Sequence, residues 1–250
     1  MWNGNAVVVG AFFLAACIVS IGGCEIGAAS RQAATTARDA QQVQLPHGRY
    51  QIDPERHRVW FLTQEGVFVY DVSRPERVAV SLPGWVTVDT FYGCLPDLAL
   101  GPNGEAVITS NSLPTLWRID PDTLAVSVHP LLLDTDTDKD VGFSGLAYSP
   151  QHGAFLAASY SLGSLWRIDP LYQTAQKISL SAPIPGACGL AARSRSSLQQ
   201  ALSRRADLCV RTPHGGWTVV FAPDGLSAYV SAAPCTDRPW PLDAGWLKGK

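Results

Sequence analysis

Short apolar runs alternate with turn residues along most of this chain, and one unit shows the pattern clearly. Between residues 97 and 130 the runs "LALG", "AVITSN", "LWRID" and "LAVSVHP" are separated by "PNG", "SLPT" and "PDT". In "LWRID", Trp117 and Ile119 fall on one face and Arg118 on the other, which is the period of a β-strand. Pro, Gly, Asn and Asp supply the turns. The pattern therefore predicts four short antiparallel strands in this unit.

The hexapeptide "LWRIDP" occurs twice and sets the length of the unit. The Asp of this pattern recurs every 49 residues, at Asp71, Asp120 and Asp169. The Pro of the first turn recurs every 48 residues, at Pro54, Pro102 and Pro150. Four-stranded units at a period of 40–50 residues are typical of β-propeller blades, which bury their faces against each other. We therefore expect the Trp of each hexapeptide to pack between blades.

The fourth unit comes later than this period requires. Pro223 in "VVFAPDGLSAYVS" lies 73 residues after Pro150, so an insertion of about 25 residues is expected before it. The predicted repeats span residues 50–96, 97–143, 144–187 and 216–250, and the insertion spans 188–209. Apolar residues at helical spacing predict a helix in that insertion. Its arginines favour either a solvated cap over the channel or a surface that docks a partner.

The repeat resembles the YVTN-type β-propeller repeat over residues 50–243, about four fifths of the chain. The matching stretches are "AVITSN", "LWRIDPDT" and "AYVSA". The resemblance implies an all-β propeller of four four-stranded repeats and says little about function, since that family mixes binding proteins, enzymes and surface proteins. Such proteins commonly have six to eight blades. Two hypotheses follow: a ring of four closed by an N-terminal strand at Val43–Pro46, which would remove an exposed edge, or a piece of a larger propeller.

The N-terminus predicts export. Residues 6–23 are apolar without a charge, and "LAAC" and "IGGC" within this region resemble the lipidation signal of bacterial lipoproteins, although "MWNGN" ahead of them has no Lys or Arg. We assign residues 1–23 to a signal or anchor, 24–40 to a tether and 41–250 to the propeller domain. Cys24 is the predicted lipidation site, which would attach the chain to a membrane. Cys17, an uncleaved anchor and ordinary secretion remain alternatives.

Export to the periplasm or outer surface makes the remaining cysteines candidates for disulfides. Cys94, Cys188, Cys209 and Cys235 allow three pairings, of which Cys188–Cys209 would close the base of the insertion and leave Cys94–Cys235. The net charge is −2, and no basic stripe accompanies aromatic residues. Nucleic acid is therefore not an expected partner.

One acidic stretch, "LLLDTDTDKDVGFSG", is a candidate metal site. Its carboxylates are Asp134, Asp136, Asp138 and Asp140. Lys139 stands where an EF-hand loop needs Gly, and Gly145 where it needs Glu, so an EF-hand is excluded. A looser Ca²⁺ site and a solvated acidic loop are the two hypotheses. No His lies close to another His, which argues against a zinc site.

In a propeller, ligands usually bind at the face formed by the loops between second and third strands and by the loops between blades. Fold analogy places there Tyr92, Asn111, Phe143 and Tyr160, together with Asp136 and Asp138. Our first hypothesis is a non-catalytic envelope protein that binds a protein or small molecule with no cofactor. The alternatives are a lactonase or hydrolase with a Ca²⁺-assisted site, and a truncated propeller without independent function.

Overall fold

A computed structural model of the chain describes residues 49–74, 76–88, 94–134, 142–192 and 207–232. This part of the chain is all-β, with 17 strands in chain order. The predicted fold class is confirmed here as far as its strands and sheets are concerned. Because the described residues form no helix, none of them provides a helix long and apolar enough to cross a membrane.

The strands form four antiparallel four-stranded units, which we call the four sheets, each paired in chain order. The first sheet contains β1 (Arg49–Asp53), β2 (Arg58–Thr63), β3 (Gly66–Asp71) and β4 (Arg77–Val80). The second contains β5 (Leu98–Leu100), β6 (Ala106–Thr109), β7 (Thr115–Ile119) and β8 (Val126–Pro130). The third contains β10 (Gly145–Ser149), β11 (Ala154–Ala158), β12 (Leu165–Ile168) and β13 (Thr174–Leu180), and short β9 (Leu132–Leu133) pairs parallel with β13. The fourth contains β14 (Gly189–Ala192), β15 (Leu208–Thr212), β16 (Gly215–Phe221) and β17 (Ser227–Ser231). Strand β13 also pairs parallel with β17, so the third and fourth units join into one sheet of nine strands that includes β9.

Three apolar layers hold consecutive sheets together. Trp117 on β7 is 1% exposed and packs in a cluster with Trp60 and Leu62 of the first sheet. Trp166 on β12 is 0% exposed and packs with Val107 and Leu116 of the second sheet. A third cluster joins the third and fourth sheets. The hexapeptide Trp is thus confirmed as an inter-sheet residue, and burial of such large side chains dominates the stability of the layers.

The Asp of the hexapeptide closes the turn that follows its strand. One carboxylate oxygen of Asp120 accepts the N–H groups of Asp122 and Thr123 at 3.0 and 2.8 Å. Asp169 and Asp224 accept N–H groups from the equivalent turns of the third and fourth sheets. A carboxylate that accepts several donors is held in its charged form. The hexapeptide therefore repeats because it combines an interface Trp with a turn-forming Asp.

At the centre, one ion pair connects all four sheets. Arg49, at the start of β1, donates to the carbonyl oxygens that precede the other three inner strands, those of Leu95, Ser144 and Cys188. Its guanidinium also lies 3.2 Å from the carboxylate of Asp97, which accepts the N–H of Leu146 at 2.9 Å. Burial raises the pKa of Asp97, against the opposing influence of Arg49 and three backbone N–H groups. Arg49 and Asp97 thus occupy the centre, where the inner strands begin, and hold the four sheets together.

The observed disulfide differs from the predicted pairing Cys188–Cys209, which would have closed the base of an insertion. Cys94 is bonded to Cys188, with 5.2 Å between their Cα atoms. Cys94 lies four residues before the inner strand β5, and Cys188 directly precedes the inner strand β14. Cys209 lies opposite Ala191 within the fourth sheet, out of register with Cys188. Cys209 is also disulfide-bonded. Cys235 lies outside the described ranges, but its pairing with Cys94 is wrong.

The fourth sheet begins earlier than predicted. The segment 188–209 contains all of β14 and the first two residues of β15, so it belongs to the fourth sheet at both ends and the helical insertion is not supported. The turn at Pro223 connects β16 to β17, whereas Pro54, Pro102 and Pro150 follow first strands. Residues 193–206, where the helix was expected, lie outside the described part.

The outer faces of the first and fourth sheets do not form a fourth apolar layer among the described residues. The first sheet presents Phe61 and Tyr70, whose rings lie 5.0 Å apart, and Phe68 beneath Arg77. On the fourth sheet, Tyr229 is 66% exposed. Closure of the ring by Val43–Pro46 concerns residues outside the described part and stays a prediction, as does a truncated ring.

Candidate functional site: a groove between the second and third sheets

A cavity lies between the second and third sheets, at the end where first strands turn into second strands. Its volume is about 420 Å³. The lining residues come from turns and outer strands of both sheets: Pro102, Asn103, Glu105, Arg118, His129, Tyr148, Gly153, Phe155, Asp169, Pro170, Leu171 and Tyr172. We call this cavity the second groove, and we call the corresponding places between sheets one and two and between sheets three and four the first and third grooves.

A side chain from the preceding turn occupies each of the other two grooves. In the first, Arg56 reaches Asp122 of the second sheet at 2.9 Å. In the third, His152 makes an edge-to-face contact with Phe221 of the fourth sheet, with ring centroids 4.5 Å apart. Both residues are the third of a four-residue turn, "PERH" and "PQHG". We call Arg56 and His152 the wedge residues.

The second groove lacks a wedge residue because its turn is shorter. Gly101 donates to the carbonyl oxygen of Glu105 at 2.8 Å, which leaves only "PNG" between them. The left-handed residue that ends each turn is His57, Gly104 or Gly153, with φ of 52°, 82° and 56°. In "PNG" this residue comes directly after Asn103, so the short Asn103 has the place that Arg56 and His152 have in the longer turns. A shorter turn with a shorter side chain therefore leaves the second groove open.

Tyr172 projects into this groove from a strained backbone. It has φ of 57°, and the residue at the same turn position of the fourth sheet is Gly225, with φ of 66°. A bulky side chain in the left-handed region is a real outlier, and such strain is found mainly where function requires a side chain in one place. The third groove contains the wedge residue His152 and has Gly225 at this turn position. The second groove contains no side chain like His152 and has Tyr172 at this position.

The hydroxyl of Tyr172 donates to the buried carboxylate of Glu105 at 3.2 Å. Glu105 also accepts the N–H of Asn103 at 2.9 Å. Burial and the Glu105 charge raise the pKa of Tyr172 to about 12, so this phenol stays protonated at neutral pH. The floor of the groove is thus a fixed phenol–carboxylate pair whose carboxylate already has two donors.

Aromatic rings form the wall beside this pair. The ring of Tyr172 lies 5.2 Å from His129 and 5.9 Å from Phe155, and Phe155 lies 5.2 Å from Tyr148. Nε2 of His129 is 2.8 Å from the hydroxyl of Ser127. Burial lowers the pKa of His129, and the neighbouring Arg118 lowers it further, so this imidazole is neutral at pH 7.

The predicted ligand-face residues lie at the opposite end of the sheets, where two of them meet. Asn111 and Tyr160 line a cavity of about 20 Å³, room for about one water molecule. The Asn111 amide is engaged by the backbone of Val88 and Cys94, each at 2.9 Å. Phe143 is 0% exposed and packs in the core near Trp166, so its assignment to a ligand surface is wrong. Tyr92 lies outside the described residues.

The predicted cation site falls largely outside the described part, which contains Asp134 but not Asp136, Asp138 or Asp140. The Asp134 carboxylate accepts the N–H of Lys177 at 3.0 Å and so extends the edge of β13. The described residues contain no group of three or more His, Cys, Asp or Glu side chains placed to hold a metal. The Ca²⁺ site stays a prediction, as does lipidation of Cys24, which also lies outside.

The second groove was missed because its residues show no motif. They come from four strands and three turns, and no two catalytic-type residues stand at a diagnostic spacing. A signal was present in the contrast of "PNG" with "PERH" and "PQHG", once the register of the turns is known.

No protein-family model and no curated protein matches this sequence. Solved structures do resemble it. One is a catalytically inactive variant of virginiamycin B lyase from Staphylococcus aureus with quinupristin, 12% identical, with a TM-score of 0.52 over 76% of this chain and 56% of that one. Another is an auxiliary nutrient binding protein from Bacteroides thetaiotaomicron, 11% identical, with a TM-score of 0.49 over 75% of this chain and 42% of that one.

This chain therefore spans about half the length of the lyase and less than half the length of the nutrient binding protein. At such identities a likeness concerns the fold alone. Four-stranded antiparallel sheets that pack face to face around a common centre, together with the likeness to the lyase, show a β-propeller-like fold.

Proposed function

We propose that this chain is a non-catalytic binding protein that takes a small molecule in the second groove. The observation that carries this proposal is the missing wedge residue: the first and third grooves contain Arg56 and His152, whereas the second is open and lined by aromatic rings. A volume of about 420 Å³ lies within the usual range of roughly 300–1,000 Å³ for ligand pockets. The strained φ of Tyr172 fits a residue that is kept for its side chain.

The carboxylates of the groove support binding over catalysis. Glu105 has accepted two donors, and Asp169 accepts the N–H groups of Leu171 and Gln173, each at 2.8 Å. A general acid or base must be able to exchange a proton with a substrate, and both of these groups are committed to the fold. Neither is arranged to attack or protonate a bound molecule.

A hydrolase is the second candidate, and one contact favours it. The hydroxyl of Ser127 and Nε2 of neutral His129 lie 2.8 Å apart, within the distance required of a nucleophile and its base. Ca²⁺ at Asp134–Asp140 would belong to this candidate. Within the described residues, however, His129 makes no hydrogen bond to a carboxylate that would orient it. We therefore place this candidate second.

We further propose that the protein acts outside the cytoplasm, attached to the membrane through lipid on Cys24. The bonded Cys94–Cys188 pair and the bonded Cys209 support an oxidising compartment, where such bonds persist. Labelling with a palmitate analogue tests the anchor. The label should be lost in Cys24→Ala and kept in Cys17→Ala, and the reverse result would reassign the site.

The binding function can be tested by screening the full chain against a library of one- and two-ring fragments. Saturation-transfer NMR reports binding, and mass spectrometry of the recovered fragments reports conversion, each with and without Ca²⁺. Tyr148→Ala removes part of the aromatic wall and should abolish most hits, whereas Tyr229→Ala, an exposed tyrosine of the fourth sheet, should keep them.

Each result separates the candidates. Hits that depend on Tyr148 and are recovered unchanged support a binding protein. Ester or lactone fragments recovered as acids, with the conversion lost in Ser127→Ala, would establish the hydrolase instead. An absence of hits that depend on Tyr148 would refute the groove as the site. A chain that shows no cooperative thermal transition would support the truncated-propeller hypothesis.

A further inference from the structure

Resting on the proposed groove, we infer that its ligand is a small aromatic carboxylate whose charge is bound by Arg118. Arg118 lies on β7 and its side chain lines the groove. The groove combines this cation with an aromatic wall and with carboxylates that already have donors. The charges decide which polar group a ligand should carry, and the wall decides what its body should be.

Arg118 has donors to spare. A guanidinium offers five N–H groups, arranged to bind a carboxylate through two of them at once. Within the described part of the chain, no carboxylate lies within ion-pair distance of Arg118. The guanidinium shares the groove with the phenol of Tyr172, whose pKa it lowers against the larger effects of burial and Glu105. By contrast, Arg56 in the first groove is already paired with Asp53 and Asp122.

The other polar groups of the groove do not compete for a cation. Glu105 is occupied by Asn103 and Tyr172, and Asp169 by the backbone of its own turn. His129 sits beside Arg118 and carries no charge at pH 7. A ligand cation would therefore meet Arg118 without a free carboxylate to offset it. A sugar would meet few free acceptors for its hydroxyl donors. An anion is the partner that the charges favour.

The wall favours a planar apolar body. Tyr148 and Tyr172 are half-buried, Phe155 lies between them, and the three rings are tilted relative to one another. Such an arrangement offers both ring faces and ring edges to an aromatic ligand. A volume of about 420 Å³ holds a two-ring molecule.

Calorimetry with two probes of nearly equal shape tests this inference. 2-Naphthoate carries the carboxylate, and 2-naphthamide replaces it with a neutral amide. Charge-assisted contacts add about 1.4 kcal/mol or more, which is a factor of about ten in affinity. We expect the full chain to bind the naphthoate at least about tenfold more tightly than the naphthamide.

The hexapeptide provides a matched control for Arg118. Arg167 has the same place in the second copy, but it points to the third groove and donates to the carbonyl of His152 at 3.4 Å. Arg118→Gln should weaken naphthoate binding about tenfold and leave naphthamide binding within about twofold. Arg167→Gln should change neither. Thermal melts confirm that both variants fold.

The outcomes separate this inference from the groove function itself. Equal binding of the two probes would refute the inference that Arg118 binds a ligand carboxylate. A loss of naphthoate affinity in Arg167→Gln as large as in Arg118→Gln would refute it as well. If the fragment screen gives hits that depend on Tyr148 while neither probe binds, the inferred ligand class is refuted and the groove stands. If no hit depends on Tyr148, both fail.

Discussion

The first and second grooves are built from the same repeat, yet one is spanned by charged side chains and the other is open. In the first, Arg56 bridges Asp53 and Asp122, and Arg58 donates to the carbonyl of Pro121. In the second, the equivalent turn is one residue shorter, and Tyr172 stands over Glu105 instead. The sheets beneath are alike, since each layer contains a hexapeptide Trp. An open groove can thus form in a propeller-like fold where one turn is a residue shorter, while the core is alike.

The largest effect should come from that shared core. Trp117→Ala and Trp166→Ala each remove a fully buried indole, and each should lower the free energy of unfolding by about 3–5 kcal/mol. The two sites should separate when Trp is replaced by Phe. Trp117 donates to the carbonyl of Pro83 at 2.8 Å, outside its own sheet, whereas Trp166 donates to Ser164 two residues away. Urea unfolding should show Trp117→Phe to be the costlier change by about 1 kcal/mol. Equal costs would mean that the Pro83 hydrogen bond contributes no more than the Ser164 one.

The interface residues could be predicted from the sequence and the groove could not. A Trp at a fixed place in a strand of period two must face a neighbouring sheet, so Trp117 and Trp166 were assigned correctly. The fourth sheet was misplaced because a Pro-containing turn can follow either a first or a third strand, and Pro223 was matched to Pro150 when it matches Pro170. The groove depends on one missing turn residue and on Tyr172 meeting Glu105 across 67 positions. A local sequence pattern does not predict contacts between residues that are so far apart in the chain.

Restoring the missing turn residue should close the second groove. A His inserted between Asn103 and Gly104 gives "PNHG", which matches "PQHG" of the third sheet. Ligand affinity should fall by about tenfold or more, because the new side chain competes for the cavity. Calorimetry with the strongest fragment measures the loss. An inserted Gly lengthens the turn without a wedge and should retain most of the affinity. If both insertions act alike, turn geometry and not occupancy controls the site.

Tyr172→Phe should destabilise the floor of the groove. It removes a donor from Glu105, which is 3% exposed, and should cost about 1–3 kcal/mol in urea unfolding at pH 7. The raised pKa of Tyr172 adds a pH test. Its stabilising contribution is complete below the unfolded value near 10 and is lost as pH rises toward about 12. Phenolate absorbance should therefore show one tyrosine that titrates near 12 in the wild type and is missing in the variant. Identical titration curves would contradict this assignment.

Asp169, in the turn that forms one wall, should contribute stability that acid removes. Partial burial acts to raise its pKa, but N–H donors from Leu171, Gln173 and Thr174 outweigh it and the pKa is lowered. A lowered folded pKa means that the contribution is present above the unfolded value, about 3.9, and is lost as pH falls through the folded one. Asp169→Asn should therefore cost about 1 kcal/mol at pH 7 and less at pH 3. A cost that does not change with pH would show that hydrogen-bond geometry alone matters.

The smallest effect should come from the wedge of the first groove. The hydrogen bond that Arg56 donates to Asp122 raises the pKa of Arg56, but Asp122 is 74% exposed and water screens this ion pair. Arg56→Ala should thus leave urea unfolding at pH 7 close to that of the wild type, and added salt should not change the difference. The variant should also open space between the first two sheets without creating a binding site, because Thr123 and not an aromatic residue stands at the turn position of Tyr172. Suppose that some fragments bind the Arg56→Ala variant but not the wild type, and still bind when Tyr148→Ala is added to that variant. Such fragments would contradict this prediction. They would mean that an open groove suffices for binding, and that the aromatic wall of the second groove is not what distinguishes it.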